Sequence, residues 1–294
     1  MEREGVHRMT GQLSALAQGR ASGAAAPYGS LVLKTGQTTQ YNSELDDGYY
    51  EAGVAKSYTV NTSGAQSGTT NVDMIHLSAS TAVSFDAGTK EIRGTGIMGI
   101  FKAGGGETIV VSGAAQAGNN GVFTTVSATA DKIVVTEALT DESAGSAVTI
   151  KKRETMSNNT VLDNNTGLVW MRYYTVKMGI FSDGRLPVSG YVYDAYQWVA
   201  ACNAASVGGY TDWRLPNIFE LLSIADFEAS AGYPDGTAFP SHNTNVAFLS
   251  SNTVCNSTTL GHDVYYQNPY VYWVTKADNT TSNSKYVTLV RGGI

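Results

Sequence analysis

The sequence predicts an α+β protein with far more strand than helix, and two observations lead to that prediction. Of its 294 residues, 42% are apolar but only 15% are charged. Gly, Ser, Thr, Asn and Tyr fill the gap, a composition typical of turn-rich β structure. Short runs of alternating apolar and polar residues recur along the chain, whereas only two segments repeat apolar residues at helical spacing. A chain of this length can form two modest domains, and we expect two.

The alternation is clearest in residues 76–153, a region poor in Tyr and Trp. Its short runs are ETIVVSG, GVFTTVSAT, DKIVVTEA and SAVTIKK. The segments between them, AGGG, AGNNG and ALTDESAG, are rich in residues that form tight turns. This pattern predicts a small all-β domain.

The first predicted helix runs from about Asp194 to Ala205, with Asp194 as its N-cap and Gly208 and Gly209 beyond its end. The spacing of three and four residues that predicts it is carried by Ala195, Trp198, Val199 and Cys202.

The second predicted helix runs from about Asn217 to Asp226 and starts directly after Pro216. Asn217 and Glu220 stand three residues apart, as in a capping box. The side chains expected to face the core are Ile218, Leu221 and Leu222. The strongest strand predictions that follow are AFLSS, VYWVT and YVTLVR.

Several functional classes lack support in the sequence. The net charge is −6 and there is no run of Lys or Arg, which argues against nucleic-acid binding. No stretch approaches the roughly 20 apolar residues of a membrane span, so we expect no membrane insertion. Residues 1–30 have no continuous apolar core of the kind found in signal peptides, and we interpret them as an N-terminal arm.

Signals for catalysis and metal binding are also missing. The four histidines are scattered, and no zinc-type Cys/His cluster, nucleophile elbow or phosphate-binding loop occurs. We therefore expect no catalytic residues, no cofactor and no metal, and we interpret the chain as a binding protein. The two cysteines, Cys202 and Cys255, leave both a single disulfide bridge and free thiols open.

Five residues around the second helix and upstream of it are candidates for structural roles. Two large aromatics are expected in the core, where their burial stabilises a loop-rich domain by a few kcal/mol. Arg214 can pair with Glu220 or Asp226, and Pro216 fixes the start of the helix. These residues are Trp170, Trp213, Arg214, Pro216 and Glu220.

The order of these motifs resembles a known family. VLDNNTGLVW, the helix with Cys202, GGYTDWRLPNIFELLSIAD, VYWVT and YVTLVRGG follow one another as in the Lcl C-terminal (DUF1566) family. KTGQTTQY and DDGYYEAG are similar to the opening segment of that family. The resemblance covers residues 31–75 and 154–294, with 76–153 as an insertion similar to β modules of phage structural proteins.

The resemblance implies a C-type-lectin-like fold, with two helices, a small mixed sheet and a long loop-rich region that carries the ligand surface. Members of the family are similar to adhesins and phage receptor-binding proteins, some of them diversified near the C-terminus by retroelements. Tyr and Asn suit such a surface, because Tyr gives a large contact face at low rotamer cost. The predicted ligand-binding residues are Tyr265, Tyr266, Asn268, Tyr270, Tyr272, Asn279, Asn283 and Tyr286.

An alternative interpretation of NPYVYWVT is an ordinary strand, with Val271 and Trp273 on a core face and the tyrosines on the other. If the C-terminal tyrosines are core residues, the binding surface is expected around Tyr173 and Tyr174 instead.

Three functions compete. The first is a phage tail or virion receptor-binding protein, with a host cell-surface protein or glycan and other tail proteins as partners, and a homotrimeric state by resemblance. It would lie in the virion, or in the host cytoplasm before assembly. The second is a bacterial cell-surface adhesin that binds glycans. The third is a polysaccharide-degrading tail enzyme, which requires a pair of acids. The acids available to it are Asp183, Asp194, Asp212, Glu220, Asp226 and Glu228.

Overall fold

The computed structural model describes residues 33, 53–94, 101, 103–174, 195–227, 233–242, 247–253, 260–266, 270–275 and 285–292. Within these ranges the chain forms fifteen strands in three sheets and two α-helices, which confirms a β-rich α+β protein. The predicted N-terminal arm, residues 1–30, lies outside them.

The first ten strands are β1 (Tyr58–Asn61), β2 (Thr69–Ser80), β3 (Ser84–Asp86), β4 (Glu91–Arg93), β5 (Thr108–Ser112), β6 (Gly121–Ala128), β7 (Lys132–Val135), β8 (Val148–Ser157), β9 (Thr160–Asp163) and β10 (Leu168–Met171). After them come α1 (Ala195–Ala204), α2 (Ile218–Ser223), β11 (Ala247–Thr253), β12 (Leu260–Tyr265), β13 (Tyr270–Thr275), β14 (Lys285–Tyr286) and β15 (Val290–Gly292). The runs predicted as strands from residue 107 onward all contain strand, and both predicted helices are present.

A seven-stranded antiparallel sheet has the order β2-β8-β5-β6-β7-β4-β3. It contains every described strand of the region predicted to be all-β. The apolar positions of its inner face, among them Ile92, Ile109 and Ile133, form a cluster of buried residues drawn from Val83 to Ile150. Both expected boundaries of the region, residues 76 and 153, fall inside strands β2 and β8, which pair from Thr69 to Ser80.

Two smaller sheets form the rest of the described chain. One has the order β1-β9-β10-β15, so that its first and last strands come from distant parts of the sequence. The other has the order β13-β12-β11-β14, in which β14 runs parallel to β11. Two further clusters of buried residues lie against these sheets, one around α1 and one around α2.

Helix α1 buries Ala195, Trp198 and Cys202, three of the four positions that its spacing predicted, whereas the fourth, Val199, is half-buried. Asp194, its expected N-cap, lies outside the described residues. The chain turns away from the helix at Gly208, where φ is +64° and an added Cβ would lie 3.0 Å from the carbonyl oxygen of Asn158. Only glycine fits such a backbone without strain.

The carboxylate of Glu142 organises the turns at one end of the seven-stranded sheet. Its oxygens accept hydrogen bonds from the backbone N–H groups of Ala115 (2.8 Å) and Gln116 (3.0 Å) and from the side chains of Asn119 (2.9 Å) and Ser146 (2.7 Å). Although desolvation opposes ionisation, these bonds lower the pKa of Glu142 from 4.5 to about 2.

We expect Glu142 to make the protein sensitive to acid. Because its folded pKa of about 2 is below the usual 4.5, its contribution to stability is present above pH 4.5 and is lost as the pH falls towards 2. Glu142→Gln should cost about 1 to 3 kcal/mol at pH 7, the range for hydrogen bonds to a charged group. It should also flatten the fall in unfolding free energy over that pH range, measured by urea denaturation. Parallel pH profiles of the two proteins would contradict this.

Candidate binding surface and the motif loop

Trp213 is the buried centre of residues 205–217, the loop that connects the two helices, which we call the motif loop. Its side chain is 2% exposed, and its Nε1 donates a hydrogen bond to the carbonyl oxygen of Val207 at 2.9 Å. Asn203 on α1 holds the backbone on both sides, accepting from the Trp213 N–H at 2.7 Å and donating to the Trp213 carbonyl at 2.9 Å. Trp170 is fully buried. Both tryptophans are therefore core residues, as the sequence predicts.

Arg214 and Glu220 form the predicted ion pair through two contacts of 2.8 and 2.6 Å. Glu220 also accepts from the N–H of Asn217 at 2.7 Å, and the Asn217 side chain accepts from the N–H of Glu220 at 2.9 Å. The capping box at the start of α2 is thus confirmed. Burial opposes ionisation, yet the bonds from Arg214 and Asn217 hold the pKa of Glu220 below its usual value.

The same loop is bonded to the last strand, β15. The backbones of Arg214 and Val290 exchange hydrogen bonds of 2.9 and 3.0 Å. Arg291 pairs with Asp212 through contacts of 2.6 and 3.0 Å and lies 4.0 Å from the ring centroid of Tyr210. Sequence reasoning missed the pair of Asp212 and Arg291, because the two residues are 79 positions apart in the sequence.

Tyr266 is a correction to the predicted ligand-binding set. It is fully buried, and its hydroxyl donates to the carbonyl oxygen of Leu221 on α2 at 3.0 Å. Its ring lies 5.2 Å from that of Phe248. The expectation that Tyr266 is exposed is wrong, because the residue follows β12 on the face that packs against α2.

Tyr265 and Tyr286 are both half-buried, but they belong to opposite faces of one sheet. Tyr265 pairs in register with Ala247, whereas Tyr286 pairs with Phe248, and adjacent strand residues face opposite sides. Of the other predicted residues, Asn268, Asn279 and Asn283 lie outside the described residues, as do the side chains of Tyr270, Tyr272 and Trp273. Val271, expected on a core face, is 39% exposed.

Tyr286 contacts the tyrosine of the alternative site. The ring centroids of Tyr174 and Tyr286 are 4.6 Å apart in an edge-to-face arrangement. Tyr173 directly precedes Tyr174 and is also half-buried, and the guanidinium of Arg172 lies 5.6 Å from the ring centroid of Tyr173. We use the name tyrosine surface for the contacting pair Tyr174 and Tyr286 together with Tyr173, the neighbour of Tyr174 in sequence.

A buried aromatic layer supports the tyrosine surface from below. The ring of His242 is stacked on Phe248 with centroids 5.0 Å apart, and Tyr174 meets both rings edge-on at 5.8 and 5.6 Å. Complete burial lowers the pKa of His242 from 6.5 to about 3, so its ring is neutral over the physiological range. The layer therefore behaves as an apolar platform that limits the movement of Tyr174.

Among known families, the model of the Lcl C-terminal domain matches residues 159–291. This segment belongs to the Lcl C-terminal domain family. The match contains the motif loop, both helices and the tyrosine surface, whereas residues 31–75, expected as part of the same domain, lie outside it. No curated protein and no solved structure matches the chain.

Cys202, in α1 of the Lcl C-terminal domain, is a buried free thiol, and burial raises its pKa. The structure therefore has no disulfide bridge at Cys202; Cys255 lies outside the described residues. Among the described side chains, no group of three or more His, Cys, Asp or Glu is arranged to hold a metal ion. No helix in the described ranges has the length and apolar character needed to cross a membrane.

A buried ion pair fixes the strand that carries Tyr286. Nζ of Lys285 lies 2.5 Å from Oδ2 of Asp263, and the exposed fractions of the two side chains are 15% and 0%. Lys285 starts β14, next to Tyr286, and Asp263 lies on β12, two strands away in the sheet. Because a buried charge without its partner is costly, this pair restricts where β14 can lie.

We expect Trp213→Ala to cost about 3 to 5 kcal/mol of unfolding free energy, the range for a buried aromatic. Phe219→Ala is the matched control, because Phe219 lies in the neighbouring helix but is 80% exposed. Its cost should stay within about 0.5 kcal/mol. Urea denaturation of both variants measures the difference, and equal losses would show that Trp213 is not a core anchor.

Asp263→Asn should cost about 3 to 5 kcal/mol, because it leaves the buried ammonium of Lys285 without a carboxylate. A double variant, Asp263→Asn with Lys285→Met, should recover part of that loss, since it removes both charges. The measurement is thermal and urea unfolding of the three proteins. A double variant less stable than the single one would contradict the interpretation that charge imbalance causes the loss.

Proposed function

We propose that this protein is a non-enzymatic binding protein, and that its Lcl C-terminal domain has a C-type-lectin-like fold that presents the tyrosine surface to a ligand. The observation that carries the proposal is the contact of 4.6 Å between Tyr174 and Tyr286, which brings together residues from two distant segments. Both tyrosines are half-buried and both rest on buried aromatic rings.

Such an arrangement suits binding for a physical reason. A tyrosine has few rotatable bonds, so fixing it against a ligand costs little conformational entropy, while its ring and hydroxyl offer apolar and polar contacts together. Packing against Phe248 restricts Tyr174 and Tyr286 before any ligand arrives. Preorganisation of this kind reduces the entropic cost of association.

Two of the candidate acids, Asp212 and Glu220, favour binding over hydrolysis of polysaccharide. An acid pair for glycoside hydrolysis needs one carboxyl group that can donate a proton and a second that acts as base or nucleophile. Asp212 is held by Arg291, and Glu220 is held by Arg214 and the N-terminus of α2. The ion pair with Arg291 keeps the pKa of Asp212 low, which makes it a poor proton donor.

We further propose that residues 76–153 form an inserted β domain. Its buried cluster is drawn from Val83 to Ile150 and is separate from the two clusters around the helices. Only the end of β2 and the start of β8 contribute to this cluster. The other ends of the two strands, with Val72, Met74 and Met156, belong to the cluster around α1. The two strands thus start in one core and end in another.

The role that fits these features and the family resemblance is a receptor-binding protein of a phage tail or virion. A host cell-surface protein or glycan would be its ligand, other tail proteins its partners, and a homotrimer its assembly. A bacterial surface adhesin that binds glycans is the alternative, and the two share the same binding chemistry. Diversification of residues near the C-terminus belongs to this proposal as an inference from the resemblance.

Binding tests the proposal directly. Fluorescently labelled protein is incubated with a panel of intact bacterial strains, and bound fluorescence is measured by flow cytometry. On any strain that binds, Tyr173→Ala should weaken binding by about 1 to 2 kcal/mol, roughly 5- to 30-fold, as expected for an aromatic contact residue. Tyr286→Phe, which keeps the ring, should have a smaller effect.

Tyr196→Ala is the matched control, because Tyr196 lies on α1 and is 51% exposed. It should bind like the unmodified protein, and all three variants should keep their melting temperatures within a few degrees, as expected for surface changes. Equal binding by the Tyr173 and Tyr196 variants would exclude the tyrosine surface as the binding site. Release of reducing sugar from the same cells would contradict a non-enzymatic role.

A further inference from the structure

A lysine on β8, the second strand of the seven-stranded sheet, is buried between two carboxylates. The side chain of Lys152 is 5% exposed, and its Nζ lies 2.7 Å from Oε1 of Glu107 and 3.1 Å from Oε1 of Glu154. The side chain of Glu107 is 3% exposed and that of Glu154 is 31% exposed. The group therefore has one completely enclosed carboxylate and one that reaches solvent.

The surroundings of Lys152 are apolar and rigid. Its cross-strand partners are Met74 on β2 and Ile109 on β5, both buried. Glu107 is fixed through its backbone, which exchanges bonds with Thr125 on β6: the Thr125 N–H donates to its carbonyl at 2.8 Å, and its own N–H donates to the Thr125 hydroxyl at 2.9 Å. The backbone at both residues is thus held by hydrogen bonds within the sheet.

Two physical effects favour a covalent bond at this place. Charges in an apolar interior carry a desolvation penalty that an ion pair only partly offsets, and a neutral amide removes both charges at once. Fixed reacting groups at contact distance also behave as if they were present at very high effective concentration. An amine and a carboxyl group held between buried strands meet both conditions.

We propose that Lys152 and Glu107 condense to form an intramolecular isopeptide bond. A proton first passes from the ammonium of Lys152 to the carboxylate of Glu107, which gives the neutral amine and acid. The amine attacks Cδ of Glu107, a C–N bond forms, and the C–O bond to the hydroxyl breaks. Glu154 takes the proton that the nitrogen loses and delivers it to the departing hydroxyl, which leaves as water. No group is oxidised or reduced, so no oxidant or reductant is needed.

The bond would join the start of β5 to β8, two adjacent inner strands of the sheet, and would close the chain between Glu107 and Lys152 into a covalent ring. Force or heat acting on the rest of the protein could then not pull these strands apart. For a protein that attaches to a surface, such a link would keep the module folded under load. This consequence, unlike the bond itself, rests on the proposed binding function.

Mass spectrometry of the full-length protein tests the bond itself. After denaturation, the mass of the protein without substitutions should be lower than its sequence mass by one water molecule. A tryptic digest should contain one branched peptide that joins the segments of Glu107 and Lys152. Lys152→Arg, which keeps the charge but removes the amine, should restore the full mass. Lys151→Arg is the matched control at the neighbouring position and should keep the deficit.

Glu154→Gln should retain the Lys152 and Glu107 side chains but lower the linked fraction at early times after synthesis, since it removes the proton relay. If the protein without substitutions has its full sequence mass, the proposal is overturned, whether or not any variant folds. A single branched peptide that joins Lys285 to Asp263, a second buried lysine–carboxylate pair among the described residues, would also overturn it by placing the link elsewhere. These results are independent of ligand binding, so the bond and the proposed function can fail separately.

Discussion

Arg214 is the residue on which the arrangement of the Lcl C-terminal domain depends most. Its backbone pairs with Val290, and its side chain holds Glu220 at the start of α2 and donates to the carbonyl oxygen of Gly292 at 3.1 Å. One residue thus connects the motif loop, a helix and the final strand. Because the ion pair is bidentate and partly buried, it sets an angle between these elements as well as a distance. Lysine could not replace it, since a single ammonium lacks the two parallel donors.

The closure at Arg214 also determines where the tyrosine surface can form. It ties β15 to the motif loop, and β15 pairs with β10, directly before Tyr173 and Tyr174. Val287 and Leu289, between β14 and β15, are buried in the cluster around α1. The short buried segment 287–289 therefore holds Tyr286 next to Tyr174. Residues far apart in sequence meet because the same buried segment restrains both.

Local signals were sufficient for much of the fold. The capping box of Asn217 and Glu220, the helical spacing that ends in Cys202 and the alternation in strands β5 to β8 of the seven-stranded sheet all act over a few residues, and all were predictable. Strand β12 was not predicted, because Gly261, His262 and Asp263 interrupt its apolar pattern. For that reason the burial of Tyr266 was missed as well. Its environment is created by α2, which the local sequence of Tyr266 does not encode.

Buried charges were the features least accessible to sequence reasoning. Asp263 and Lys285 are brought together by the parallel pairing of β14 with β11, a non-local contact that no short pattern reports. Lys152 lies in phase with the buried Val148 and Ile150, so its position predicts an inward side chain whereas its charge predicts an outward one. The side chain points inward, because Glu107, directly before the adjacent strand β5, supplies a carboxylate that reduces the cost of burying the ammonium. A charge at an inward strand position therefore indicates an opposite charge close by, here Glu107, which stands two residues before Ile109, the cross-strand partner of Lys152.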